Sequence, residues 1–346
     1  MSQEATEHSI SKRNSSAIEY PITLDEFLKA EIPPVQYILK PVLPEKGKLL
    51  ISAHQGSCKT FVVLNLACAI SSGISPYLDE IDISKRKVLC VIGEGGESEL
   101  KRRLERMAEM PGINKENLIL TYEPNMDICD GKEKEDGFDK LKSMITDWKP
   151  QVLILDPIGQ LWSGNENEKQ EVKCLTALFD SLIQEYQISL IVTQHWKKPG
   201  KNMSEGGHMA SGSYWWIAWV DGHITLKGNA KSLNLHFDKI RSNEGGVEYK
   251  DLTLRLSEEN FWMDCIGIKG EQVNKQQLNK LFNSFGSERV KFNDLADKTE
   301  EERLCSRNTL YKILESNSEF IIDKSKKSCF YVCKNDLDDN GSTFKT

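Results

Sequence analysis

The sequence lacks the features that mark several specialised classes of protein. Its longest apolar runs fall well short of the roughly 20 residues that cross a bilayer, and residues 1–18 have no apolar core of a secretory signal. The nine cysteines form no C-x-x-C pair and no close cysteine–histidine cluster, which argues against a zinc site and a disulfide framework. We therefore expect a cytoplasmic protein with reduced thiols and no membrane contact.

An excess of positive charge is also missing. The formal net charge is -7, from 45 Lys and Arg against 52 Asp and Glu over 346 residues. This balance argues against a protein coated in nucleic acid, but it permits one that holds DNA in a narrow channel. The length suffices for one large domain and a smaller one.

A nucleotide site is predicted near the end of the first apolar run. A buried strand at residues 49–51 is followed by a small-residue loop, a Lys-Thr pair and apolar residues at helical spacing. Backbone N–H groups in such a loop, and the positive end of the helix behind it, hold phosphates, while the lysine contacts the β- and γ-phosphates and the threonine binds Mg²⁺. The residues assigned to this site are Gly56, Ser57, Cys58, Lys59 and Thr60.

The loop departs from the pattern G-x-x-x-x-G-K-[ST] at two positions. Ala53 and Cys58 stand where the pattern has glycine. A glycine before the lysine allows a backbone conformation and an approach to phosphate that a Cβ resists. The prediction therefore depends on the order of strand, loop and helix. A thiol at a helix N-terminus beside a lysine also predicts a lowered pKa for Cys58.

Strands and helices alternate after this loop. Unbroken apolar strands separated by amphipathic helices predict a parallel sheet covered on both faces. The predicted strands are 88–92, 152–155 and 188–193, with helices at 97–110 and 171–186 and two further strands at 223–226 and 233–237.

Three polar residues follow the predicted parallel strands. Asp156 stands where P-loop enzymes place the carboxylate that orients Mg²⁺. Glu94 is placed to polarise an attacking water, and Gln194 to sense the γ-phosphate. A solvated residue at a strand end is the alternative for each of them.

Two later segments carry cations or aromatic rings. Lys239 and Arg241 are either solvated or, in a ring-shaped oligomer, positioned to act in a neighbouring active site as arginine fingers do. Residues 196–212 form a glycine-rich loop with three lysines, which suits contacts to a phosphate backbone. The run Tyr214–Trp219 offers rings for base stacking, although we favour core packing for its tryptophans.

The C-terminal region has a different character. Three predicted helices at 277–285, 292–296 and 306–314 and a basic hairpin describe a winged-helix module, with 12 Lys and Arg against 9 Asp and Glu between residues 275 and 334. The predicted segments are a disordered tail at 1–18, an ATPase domain at 19–272, a winged-helix domain at 273–335 and a flexible tail at 336–346.

The ordered set of motifs between residues 22 and 243 resembles the RecA-type core of hexameric replicative helicases, and most closely the plasmid RepA-like helicase ATPases. Besides the loop and the polar residues above, Gln194-His195 and the Lys-x-Arg of 239–241 carry the resemblance. It implies an α/β, RecA-like P-loop NTPase fold and an ATP-driven DNA helicase of a plasmid, phage or other mobile element. ATP and Mg²⁺ are the implied cofactors, with Thr60 and Asp156 holding the metal.

The resemblance also implies roles and partners. Glu94 would be the catalytic carboxylate, Gln194 the γ-phosphate sensor, and Lys239 and Arg241 residues that act across a subunit interface. Single-stranded DNA, a homohexamer and a replication initiator or primase are the implied partners.

Two alternatives remain open on the sequence. One is a winged-helix DNA-binding regulator with a degenerate nucleotide site, in which Arg307, Asn308 and Lys312 would face the major groove. The other is a recombination or repair ATPase that shares the core but does not unwind DNA. The winged helix can also serve for docking a protein.

Overall fold

The computed structural model describes residues 21–74, 81–128, 137–195, 214–241, 249, 251–268, 275–287, 289–301, 307, 310–311, 314, 320–323 and 330–334. The predicted tails, the loop at 196–212, Asn308 and Lys312 lie outside the described residues. The chain divides into two compact units, Met1–Val35 and Gln36–Thr346.

The described part of the first unit contains helix α1 (Leu24–Lys29). Thr23 caps it: its Oγ1 accepts the Glu26 N–H at 3.3 Å, and Glu26 Oε2 accepts the Thr23 N–H at 2.7 Å. This reciprocal pair satisfies two donors that a helix start leaves open. An ion pair between Asp25 and Lys29 spans the helix, none of whose residues is buried.

The second unit is built on a nine-stranded sheet with helices on both faces. The strands of the chain are β1 (Tyr37–Lys40), β2 (Leu43–Pro44), β3 (Lys48–Ala53), β4 (Asp82–Ile83), β5 (Val88–Ile92), β6 (Leu118–Tyr122), β7 (Val152–Asp156), β8 (Ser189–His195), β9 (Gly222–Asn229), β10 (Ser232–Ile240), β11 (Leu252–Leu256), β12 (Met263–Ile268), β13 (Arg289–Lys291), β14 (Phe320–Asp323) and β15 (Tyr331–Lys334). The remaining helices are α2 (Lys59–Ser72), α3 (Glu97–Met107), α4 (Gly137–Trp148), α5 (Ile158–Leu161), α6 (Lys169–Tyr186), α7 (Tyr214–Trp219), α8 (Lys275–Asn283) and α9 (Phe292–Glu301).

The order of strands in the main sheet is β12-β11-β10-β9-β3-β8-β7-β5-β6. The six strands from β9 to β6 are parallel, and β10, β11 and β12 continue the sheet antiparallel. The prediction of a mostly parallel sheet covered by helices is therefore confirmed. Because β3, β5, β7 and β8 run in the same direction, the residues that follow them meet at one edge of the sheet.

Two apolar layers hold the helices to this sheet. Ile51 and Ala53 pack in the layer under α2 and α3, while Leu50, on the opposite face, packs in the layer under α4, α5, α6 and α7. Alternation along β3 divides its side chains between the layers. The run at 214–219 is helical, and Trp216 is fully buried in the second layer.

The C-terminal elements form a small sheet with a core of their own. The strand order is β13-β15-β14, and α8, α9 and the helical residues Leu310 and Leu314 contribute apolar side chains to one cluster with it. The sequence predicts a two-stranded hairpin here. The third strand, β13, has only three residues, which is too short to give a periodic signal.

Within the described ranges, no helix is long and apolar enough to cross a membrane. The same ranges contain no cluster of three or more His, Cys, Asp or Glu side chains that would hold a metal ion by themselves.

The tryptophan run gives a direct test of this packing. We expect Trp216→Ala to lower the free energy of unfolding by about 3–5 kcal/mol, because it empties a site in the core. Tyr214→Ala, in the same helix but 77% exposed, should change it by less than about 0.5 kcal/mol. Urea unfolding followed by circular dichroism measures both, and an equal decrease in the two variants would contradict the core position of Trp216.

Candidate functional site

The loop between β3 and α2 contains two residues in the left-handed region, Gly56 and Cys58, despite its departures from the pattern. Cys58 precedes the first residue of α2 with φ 54° and ψ 21°, in the left-handed region. That conformation costs a residue with a Cβ about 1–2 kcal/mol and a glycine almost nothing. Cys58 therefore adopts the backbone conformation for which the pattern has glycine. Gly56, with φ 83°, supplies the other left-handed turn.

The environment of Cys58 overturns the predicted acidity of its thiol. Burial raises the pKa of Cys58 above its ordinary value, and the nearby Arg103 guanidinium opposes this only in part. The helix N-terminus and the neighbouring lysine, taken alone, predict a lowered pKa for Cys58. Desolvation of the thiolate decides the outcome, and it cannot be estimated from neighbours in sequence.

Lys59 points into the sheet edge and is almost completely buried, with 4% exposure. Its Nζ lies 3.9 Å from Asp156 Oδ1 and 3.4 Å from His195 Nε2. Burial lowers the pKa of Lys59, while the carboxylates of Asp156, Glu94 and Glu166 act in the opposite direction. The lysine that the sequence assigns to phosphate therefore lies among three carboxylates.

Asp156 ends β7 and is fully buried. Thr193, on the neighbouring β8, donates its hydroxyl hydrogen to Asp156 Oδ1. The second oxygen, Oδ2, is also buried and has no hydrogen-bond partner among the described residues. Because an unsatisfied carboxylate oxygen is costly, this atom fits a hard cation or a water in its shell. Asp156 thus suits the metal role assigned to it, with Thr60 at the start of α2.

Glu94 lies beside the lysine, just beyond the end of β5. Its Oε2 is 3.4 Å from His195 Nε2. The contact with His195 lowers the pKa of Glu94, burial opposes that shift, and Lys59 adds to it. Glu94 is therefore a carboxylate held in its charged form, which is the state required to accept a proton or to polarise a water.

His195 is a site residue to which the sequence analysis assigns no role. One atom, Nε2, is the contact for both Lys59 and Glu94, so it accepts from the lysine when unprotonated and donates to Glu94 when protonated. Its Nδ1 is buried without a hydrogen-bond partner among the described residues. The pair Gln194-His195 is visible in the sequence, but which of the two faces Lys59 depends on the pleat of β8.

Gln194 faces the other side of the sheet. Its Nε2 donates to Glu166 Oε2 at 3.1 Å, and its Oε1 has no hydrogen-bond partner among the described residues. Thr193 and His195 share the face that carries Asp156 and Glu94, as the two-residue alternation of a strand requires. Glu166 lies in the polar segment between α5 and α6, and no motif in the sequence distinguishes it from its acidic neighbours.

Lys239 and Arg241 make their hydrogen bonds away from this cluster. Lys239 Nζ donates to the carbonyl oxygens of Ile217 and Ala218 at 2.6 and 3.2 Å. Arg241 donates to Asp221 Oδ1 and to the Ala218 carbonyl, both at 2.9 Å. Burial and the Arg241 charge lower the pKa of Lys239. Within one chain the two cations therefore bind the C-terminal end of α7.

The raised pKa of Cys58 gives a prediction for its reactivity. A higher pKa means a smaller thiolate fraction at every pH below it. The rate of Cys58 alkylation by iodoacetamide should therefore rise with pH, with its midpoint at a higher pH than for a cysteine model peptide. Peptide-resolved mass spectrometry measures the rate. Mg²⁺ with ATP should slow labelling at Cys58 and leave the exposed Cys174 unaffected. A midpoint at a lower pH than that of the model peptide would contradict the burial argument.

Comparison with known proteins agrees with this geometry. The AAA domain family matches residues 14–201, more than half of the chain, and no curated protein matches the sequence. Two similar solved structures are a KaiC-like protein from the hyperthermophilic archaeon Pyrococcus horikoshii OT3 and the RadB recombinase. The first is 14% identical with a TM-score of 0.45, over 66% of this chain and 99% of that one. The second is 18% identical with a TM-score of 0.44, over 64% and 91%. The chain belongs to the AAA domain family.

Proposed function

We propose that this protein is a ring-forming, ATP-hydrolysing DNA motor, a RepA-like helicase acting in the replication of a plasmid, phage or other mobile element. The observation that carries the proposal is the cluster at the sheet edge, where Lys59, Asp156 and Glu94 converge on the N-terminus of α2. These are the groups that phosphoryl transfer requires: a cation for the phosphates, a carboxylate for a metal and a carboxylate for water.

Each residue has a stated task in this proposal. The loop amides and Lys59 bind the β- and γ-phosphates, while Thr60 and Asp156 hold Mg²⁺. When bound, Mg²⁺ neutralises charge that develops on the phosphate oxygens. Glu94 orients the attacking water, and His195 contacts both Glu94 and Lys59. Gln194, on the opposite face of β8, remains the proposed sensor through its contact with Glu166.

The cations on β10 extend the proposal to an oligomer. We assign Lys239 and Arg241 to the phosphates of a neighbouring subunit, as arginine fingers act in trans. To do so, they must break their hydrogen bonds to the carbonyl oxygens of α7 and form new ones to phosphate oxygens. A homohexamer supplies six such interfaces, and a replication initiator or primase is the proposed loading partner.

One face of α6 supports contact with single-stranded DNA. Lys169 and Lys173 place their Nζ atoms 4.3 and 4.5 Å from the centroid of the Trp215 ring. Like charges one helical turn apart repel each other, so a phosphate between them relieves the repulsion. Tyr214, the most exposed large aromatic side chain of the described residues, adds a ring on which a base can stack.

The winged-helix regulator receives less support. The helices and strands of the C-terminal region fit a winged-helix domain, which we keep as a proposal. However, Arg307, one of the three predicted groove contacts, donates to Asn293 at 3.1 Å and to Asp297 within the same region. An arginine already paired with a carboxylate is a weaker candidate for reading bases.

ATP turnover tests the motor. We expect the unmodified protein to hydrolyse ATP faster with single-stranded DNA, and Lys59→Ala to lower turnover at least about 100-fold, because it removes charge stabilisation of the transition state. Cys58→Gly should match or exceed the unmodified protein, since it relieves the strained backbone and opens the loop to phosphate.

The outcomes separate the candidate functions. Strand displacement on a forked duplex supports the helicase, whereas DNA-stimulated turnover without displacement supports a recombination or repair ATPase. Absence of turnover in both the unmodified protein and Cys58→Gly would contradict the motor and favour the winged-helix regulator.

Fluorescence anisotropy with a labelled oligonucleotide tests the α6 face. The double change Lys169→Ala, Lys173→Ala should make the slope of log affinity against log salt shallower by about 1.4, or about 0.7 for each phosphate that the protein no longer neutralises. Tyr214→Ala should weaken binding by about 1–3 kcal/mol, because it removes a stacking ring. Lys231→Ala, an exposed lysine in the turn between β9 and β10, is the matched control. Identical behaviour of all variants would contradict this assignment.

A further inference from the structure

A chain of polar side chains crosses three neighbouring strands of the main sheet. Ser52 Oγ on β3 lies 2.9 Å from His223 Nε2 on β9, and His223 Nδ1 lies 3.6 Å from Asp238 Oδ2 on β10. Ser52 and His223 are buried, and 14% of the Asp238 side chain is exposed. We name Ser52, His223 and Asp238 the cross-strand network.

A hydrogen bond with Ser52 orients the His223 ring, while Asp238 Oδ2 faces Nδ1 at 3.6 Å, which is beyond hydrogen-bonding distance. A carboxylate facing Nδ1 favours the tautomer that carries its hydrogen there, so in the neutral ring Nε2 accepts the hydroxyl hydrogen of Ser52. Ser52 is fully buried, so no substrate can reach its hydroxyl group. A nucleophilic role is therefore excluded, and a positioning role remains.

A β-bulge brings Asp238 into the network. Phe237 pairs with Ile224 and Lys239 pairs with His223, which leaves Asp238 as the extra residue of β10. Bulges redirect side chains and are common next to active sites. Here the bulge immediately precedes Lys239, whose backbone is paired with that of His223 itself.

A second connection joins the other end of β3 to the same segment. Asp221 Oδ2 accepts the Lys48 N–H at 2.9 Å, and Asp221 Oδ1 accepts from Arg241, also at 2.9 Å. One end of β3 is thus hydrogen-bonded to Asp221, which holds Arg241, and the other end to His223, whose backbone pairs with that of Lys239.

Stability alone does not account for these buried groups. Replacing both partners of a buried hydrogen bond by apolar groups of the same shape can be nearly neutral or stabilising. Leu50 and Val192, which are paired neighbours on the same face of β3 and β8 as Ser52, show that the sheet accommodates apolar side chains here. A directional network is instead suited to keeping strands in a fixed relation.

We infer that the cross-strand network transmits nucleotide occupancy of the P-loop to β10 and so controls when Lys239 and Arg241 leave the α7 carbonyls for a neighbouring subunit. Phosphate bound by the loop amides acts on Ser52, which lies two residues before the loop residue His54. The contacts to His223 and Asp238 carry the displacement to the bulge. This inference rests on the proposed function, since it gives the two cations their role in trans.

Amide hydrogen exchange and ATP turnover together test the role of the cross-strand network, with Mg²⁺ and ATP as the probe. In the unmodified protein, ATP should alter amide exchange across residues 232–240. Ser52→Ala removes a buried hydrogen bond and Asp238→Asn removes the charge that faces His223, so each variant should abolish that response and lower kcat about tenfold. ATP should still bind to both variants, because neither residue contacts phosphate, and its Kd should change only by the coupling that is lost. The kcat of the double variant should be no lower than that of either single variant, because both substitutions act through His223.

Thr225→Val is the matched control, because it removes a buried hydroxyl from the residue paired with Ser52 without touching the network. If the network variants behave like Thr225→Val while DNA-stimulated turnover persists, the inference is overturned and the proposed function stands. Suppose instead that ATP changes amide exchange in β10, that the network variants lose this change, and that DNA never stimulates turnover. The inference is then supported as a response to nucleotide, and the proposed DNA motor is contradicted.

Discussion

The buried ammonium group of Lys59 is the charge on which the site depends. Burial lowers its pKa, and the nearby carboxylates of Asp156, Glu94 and Glu166 oppose that shift by favouring the charged form. These carboxylates come from the end of β7, the segment after β5 and the segment before α6. Three carboxylates against Lys59 and the nearby Arg103 guanidinium leave an excess of negative charge. This excess suits a nucleotide that arrives with a divalent cation and opposes one that arrives without it.

The position of β8 between β3 and β7 makes this arrangement possible. A strand in that place presents alternate residues to opposite faces, so Thr193 and His195 meet Asp156 and Lys59 while Gln194 reaches Glu166. The same alternation places Ser52, the pairing partner of Gln194, on the face where it contacts His223. One strand register therefore sets both the cluster around Lys59 and the polar contacts behind it.

The sequence predicted the elements whose apolar pattern is decided locally. The buried strands β5 and β7, the capping box at Thr23 and helix α2 lie where the pattern places them, and Lys59, Asp156 and Glu94 come together as expected from parallel strand ends. Strand β6 was not predicted, although it begins with three consecutive apolar residues, and all five of its residues are half-buried. The raised pKa of Cys58 and the roles of His195 and Glu166 depend on burial and pleat, which short-range patterns do not contain.

The left-handed conformation of Cys58 shows how much the surrounding fold can impose. The strain of about 1–2 kcal/mol is small beside the burial of α2, eight of whose eleven buried residues are apolar, so the scaffold holds the loop in this conformation with cysteine in place of glycine. The fold therefore forms without a glycine at this position. The expected effect of Cys58 is on nucleotide binding instead. A Cβ and a sulfur at the point where backbone approaches phosphate affect the bound nucleotide in its ground and transition states alike. Such an effect weakens nucleotide affinity more than it slows hydrolysis of the nucleotide once bound.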